Sequence, residues 1–86
     1  MRVAGGNEKG RRLKGAVSSG TRATTERVRA AIFNILDPGQ YQGGRVLDLF
    51  AGSGSLGIEA LSHGASSADF VEWDRRQSAV ITTNLE

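Results

Sequence analysis

The stretch from Arg45 to Asp74, RVLDLFAGSGSLGIEALSHGASSADFVEWD, constrains the fold more than any other part of the chain. Val46 to Phe50 is a short apolar run carrying one acid, the pattern of a buried parallel strand. Ala51 to Gly54 makes a tight turn. Ser55 to His63 sets Leu56, Ala60 and Leu61 at helical spacing, and Gly64 follows at the C-cap position. Asp69 to Asp74 predicts a second strand that ends in acids. A strand–turn–helix–strand unit of this kind binds a nucleotide-like ligand at the C-terminal ends of its strands.

Gly52, Gly54 and Gly57 form a literal G-x-G-x-x-G between the first strand and the helix, and Glu72 lies twenty residues past Gly52. The glycine pattern alone is weak; with both strands and the acid it is strong. Glycine lets the backbone approach a ligand closely, and a carboxylate at Glu72 can accept hydrogen bonds from both ribose hydroxyls of an adenosine. NAD and S-adenosylmethionine (SAM) both fit this frame. Asp48 discriminates between them. A carboxylate at the strand end repels pyrophosphate but attracts a sulfonium and an α-ammonium group, so the spacing favours SAM.

The remainder of the chain is basic at its start. Residues 1–29 hold eight Lys and Arg against two Glu, whereas residues 30–86 hold three Arg against seven acids. That asymmetry suggests a polyanion on one side and a small molecule on the other. Arg2 to Ala4 and Arg11 to Lys14 flank the turn-rich 5–10 segment and predict a small hairpin, with residues 15–20 a loop. Thr24 or Thr25 can cap a helix to about Leu36, with Val28, Ala31, Ile32, Ile35 and Leu36 on one apolar face. Arg75 to Glu86 begins another helix, with Ala79, Val80 and Leu85 inward. His63 is expected to be a solvated helix-end residue, and Trp73 either a packed aromatic or a ligand contact.

Composition closes off several classes. With no cysteine there is neither a disulfide framework nor thiolate chemistry, and one histidine makes a histidine metal cluster implausible. No apolar run approaches the roughly 20 residues that span a bilayer, so a cytoplasmic protein is expected. At 86 residues, two parallel strands and a hairpin leave a face and an edge uncovered. The expectation is an incomplete domain, completed by a C-terminal half or by another chain.

Three segments together resemble a known family. Arg22-x-Thr24-Thr25-x-Arg27-Val28-Arg29-x-Ala31-x-Phe33-Asn34, then Val46 to Gly54, then Gly57-x-Glu59-Ala60-Leu61-Ser62 with Phe70-Val71-Glu72, look like the RsmD-type methyltransferases. The resemblance runs from Arg2 to Leu85. It implies SAM-dependent methylation of the N2 amine of one guanine in 16S ribosomal RNA, naked or in an assembling small subunit. It also implies that Asp48, Phe50, Gly52, Ser53 and Gly54 surround the cofactor, that Glu72 holds its ribose and that Trp73 and Asp74 border its adenine. Thr24 and Arg27 would close over the cofactor, and Arg11, Arg12, Lys14 and Arg22 would meet the RNA. The family's [DN]-P-P-[YF] acceptor motif is absent, since Pro38 is the one proline, so no catalytic residue is assigned and the isolated chain is expected to be inactive.

The resulting fold class is α/β: a basic hairpin and loop over residues 1–21, then, over residues 22–86, a helix and the first βαβ of a SAM-dependent Rossmann-like domain. The competing functions are a dinucleotide-binding oxidoreductase fragment and a non-catalytic RNA-binding module.

Overall fold

The structure, a computed structural model, describes residues 1–15, 25–49 and 51–86. Five regular elements run in chain order: α1 (Glu26–Ile35), β1 (Arg45–Asp48), α2 (Ser55–Ser62), β2 (Ser67–Phe70) and α3 (Arg75–Leu85). Single 3-10 turns lie at Gly6–Glu8 and Pro38–Gln40.

β1 and β2 pair in parallel with Arg45 opposite Ser67 and Asp48 opposite Phe70. The ladder continues beyond the named strands, because Val71 N–H donates to Asp48 O at 2.8 Å and Ala51 N–H to Val71 O at 3.2 Å. The second strand thus begins two residues before the predicted Asp69 and ends before Asp74. Asp74 instead caps α3, its Oδ1 accepting from Arg76 N–H at 2.9 Å. An acid at a helix N-cap satisfies an otherwise unpaired amide, and this local demand competes with strand extension. β1 alternates exposed and half-buried residues, with Leu47 on its open side. This is the uncovered face that the sequence leads one to expect, and no further layer covers it among the described residues.

The predicted hairpin is present in minimal form. Arg2 and Arg12 make an antiparallel bridge, flanked by Val3 N–H to Arg11 O at 2.9 Å and Leu13 N–H to Met1 O at 2.8 Å. Its inward residues Val3 and Leu13 join Ile58 of α2 in the core, with Phe70 packed alongside. Strand pleating therefore turns Arg11 to the same side as Val3 and Leu13, and sends Arg2, Arg12 and Lys14 outward.

α1 starts where expected, Thr25 Oγ1 accepting from Val28 N–H at 3.2 Å, but of its predicted apolar face only Ile32 and Leu36 turn inward. Val28 is exposed and Ile35 is 83% exposed, whereas Arg29 is 0% exposed. The helix is rotated so that Arg29, Ile32, Phe33 and Leu36 face inward, with Arg29 paired to the buried Glu59 carboxylate of α2 at 3.1 Å. In α3, Val80 and Ile81 are buried as neighbours, while the expected Ala79 and Leu85 are exposed.

Candidate functional site

The glycine turn carries two left-handed residues, Gly52 at φ +55° and Gly54 at φ +82°, a conformation that side chains with a Cβ rarely adopt. Gly54 is also the N-cap of α2. Gly57 is required for a different reason: a Cβ there would overlap the ring of Phe70, so its absence lets α2 lie close on β2.

Two acids from the ends of the adjacent strands hold the turn and the start of α2. Glu72 Oε1 accepts from Gly52 N–H at 2.9 Å and its Oε2 from Asp74 N–H at 3.0 Å. Asp48 Oδ2 accepts from Gly57 N–H at 3.2 Å. A carboxylate offers about four lone-pair positions, so Glu72 retains acceptor capacity toward a ligand after these two bonds. Beside it lies a cavity of about 310 Å³ lined by Leu49, Val71, Glu72 and Trp73. Trp73 is 97% exposed, which overturns the packed-aromatic expectation and leaves a flat apolar ring at the mouth of that cavity. A second cleft of about 440 Å³ opens against β1, walled by Ile32, Phe33, Leu36, Tyr41 and Leu56, with Asp48 on its lining.

Of the other expected site residues, Ser53 is buried, its hydroxyl donating to Met1 Sδ at 3.4 Å. Arg27 is exposed on α1. Thr24, Arg22 and Phe50 lie outside the described residues. Arg12 and Lys14 are exposed, but Arg11 Nη2 donates to Asn84 O at 3.1 Å, which separates it from the outward cations.

Sequence reasoning missed a polar cluster under the site. Glu59 and Arg29 are both 0% exposed and meet at 3.1 Å. Glu59 also accepts from Ala4 N–H at 2.9 Å, Gly5 N–H at 3.0 Å and His63 Nε2 at 2.9 Å, while Arg29 Nη2 donates to Arg2 O at 2.8 Å. His63 is thus not a solvated end residue. It stacks on Phe33 with centroids 4.7 Å apart, and Tyr41 packs edge-on to the same ring at 5.2 Å. Glu59 at i and His63 at i+4 was the one signal available in the sequence.

Asp74 is held below its ordinary 3.8, chiefly by the Arg76 side-chain hydrogen bond and then by the Arg76 backbone N–H. Among the described residues no group of His, Asp and Glu is arranged to hold a metal, and no helix is long and apolar enough to cross a membrane.

A family model described as conserved hypothetical protein 95 matches residues 1–86. The chain belongs to this family, the RsmD-type methyltransferases. Similar RsmD-type relatives include YlbH of Bacillus subtilis strain 168, 49% identical over 86 residues, and ribosomal RNA small subunit methyltransferase D of Escherichia coli K12, 46% identical over 85. These matches cover 100% and 99% of this chain but 46% and 42% of the relatives, so it spans under half of their length. The solved structure of yhhF from Escherichia coli superposes with a TM-score of 0.83 at 42% identity, over 99% of this chain and 44% of that one. The partial RsmD-type domain accounts for the open face of β1.

Proposed function

We propose that this chain is the cofactor-holding part of a SAM-dependent methyltransferase that modifies the N2 amine of a guanine in 16S ribosomal RNA, in the cytoplasm. The observation that carries the proposal is the pair of acids at the strand ends. Glu72 holds Gly52 of the glycine turn at 2.9 Å, as a ribose-binding acid would, and Asp48 holds Gly57 in the first turn of α2 at 3.2 Å, putting negative charge where a dinucleotide would bring pyrophosphate.

In this reading the cofactor supplies an electrophilic methyl carbon on a sulfonium centre. Asp48 attracts the cationic methionine portion, beside Phe50, Gly52, Ser53 and Gly54. Glu72 accepts from the ribose hydroxyls, with its orientation already set by Gly52 and Asp74 N–H groups. Leu49, Val71 and Trp73 offer apolar surface to the adenine, and Thr24 and Arg27 close over the ligand. Residues 1–21 form the RNA-contacting extension, residues 22–86 the cofactor part.

The hairpin supports an RNA phosphate backbone as the partner. Arg2 and Arg12 are direct cross-strand neighbours; Glu26 pairs with Arg2 at 3.5 Å, and the exposed Arg12 and Lys14 are left to meet a polyanion. The proposal assigns placement of the guanine amine to sequence outside these 86 residues, in keeping with the share of the relatives they cover.

The test is a titration of the intact protein with SAM, followed by Trp73 emission and compared with a Trp73→Phe variant. Quenching that the variant lacks, together with methyl transfer from labelled SAM to 16S RNA, is expected. A response to NADH and none to SAM would overturn the proposal in favour of a dinucleotide site.

A further inference from the structure

Asn84 lies in the last turn of α3, distant in sequence from the hairpin and from the glycine turn, yet its side chain touches both. It is 5% exposed. Nδ2 donates to Lys14 O at 3.0 Å and to Ser53 O at 2.9 Å, and Oδ1 accepts from Lys14 N–H at 2.7 Å. Both amide hydrogens are therefore used. The two bonds to Lys14 fix the exit of the hairpin. The bond to Ser53 holds the carbonyl end of the Ser53–Gly54 peptide, whose N–H end donates to Ala51 O at 2.7 Å. The central peptide of the turn is thus held from both sides. Two more contacts join the same parts: Ser53 Oγ to Met1 Sδ, and Arg11 Nη2 to Asn84 O.

We propose that Asn84 is a positioning residue that couples the cofactor turn to the basic hairpin, so that a ligand at either one strengthens binding at the other. The inference rests on the function proposed above. A buried amide with three partners cannot exchange them for water at low cost, so a turn ordered by its ligand favours the one hairpin position that keeps all three bonds. The effect is reciprocal, because linkage requires each ligand to change the other's affinity by the same factor.

The experiment uses the intact protein, with S-adenosylhomocysteine and a 16S RNA transcript as probes in calorimetry. In the unaltered protein saturating RNA is expected to tighten S-adenosylhomocysteine binding by at least about fivefold, with the same factor in the reverse order. Asn84→Asp keeps the shape and the bond from Lys14 N–H but turns lone pairs toward Lys14 O and Ser53 O. Its expected factor is near unity while each ligand still binds alone. No enhancement in the unaltered protein, or an equal one in Asn84→Asp, overturns the proposal. Should the variant not fold, hydrogen exchange on the unaltered protein decides: S-adenosylhomocysteine alone should slow exchange of the Lys14 amide, and unchanged exchange there overturns it. Failure to bind S-adenosylhomocysteine at all instead removes the proposed function, which distinguishes the two failures.

Discussion

Arg29 and Glu59 meet at 3.1 Å with both side chains wholly buried, and the pair ties α1 and the N-terminal hairpin to α2. Such a pair stabilises only when its remaining lone pairs and protons are satisfied. Glu59 meets that condition on its side, through the backbone N–H groups of Ala4 and Gly5 and through His63. Glu59→Ala is expected to cost about 3–5 kcal/mol in urea unfolding of the intact protein. Replacing both residues by methionine should not restore stability, because the Ala4 and Gly5 amides stay unpaired at about 1–3 kcal/mol each. Full recovery in the double variant would contradict this account.

Gly57→Ala should destabilise by about 1–3 kcal/mol, since the added methyl overlaps the Phe70 ring. Phe70→Leu introduced with it should give a loss smaller than the sum of the two single losses. Additive losses in thermal unfolding would place the strain elsewhere.

Glu72→Gln retains the shape of the side chain but turns an NH₂ group toward either Gly52 N–H or Asp74 N–H, where two donors then face each other. SAM affinity is expected to fall roughly tenfold to a hundredfold. Calorimetry measures this directly, and an unchanged affinity would remove Glu72 from the ribose site.

Arg12→Ala with Lys14→Ala should weaken RNA binding without changing SAM affinity, because both residues lie on the outward side of the hairpin. The dependence of log affinity on log salt should lose roughly 0.7 per single-strand phosphate contact removed. Arg11→Ala should instead lower the melting temperature, since Arg11 holds the end of α3. A steeper loss of RNA affinity from Arg11 than from Arg12 would reverse that assignment.

Asp74 is held below its ordinary 3.8 by Arg76 in the folded state. A lowered carboxyl value contributes stability that is present above 3.8 and is lost as pH falls through the folded value. The melting-temperature advantage over Asp74→Asn should therefore be constant near neutrality and vanish in acid below 3.8. An advantage that grows on acidification would invert the sign of the effect.

The glycine turn, its flanking strand and helix, the acids at Asp48 and Glu72 and the basic hairpin were all legible in the sequence. Their signals are local: a run of apolar residues, glycines at fixed offsets, alternation about a turn. The burial of Arg29 was not legible, because helical periodicity treats arginine as a surface residue. Only a carboxylate thirty residues away makes its burial favourable. The same limit applied to His63, whose place beside Phe33 depends on how α1 meets α2.

By itself, then, the sequence determined the order of elements, the glycine turn with its two flanking acids and the separation of a basic arm from a more acidic remainder. Each follows from chemistry within a few neighbouring residues. The tertiary structure decided which face α1 presents, which hairpin cations point outward, and that Asn84 joins Lys14 to Ser53 across separations of 70 and 31 residues. Those outcomes depend on burial and on hydrogen-bond partners brought together only when the chain is folded.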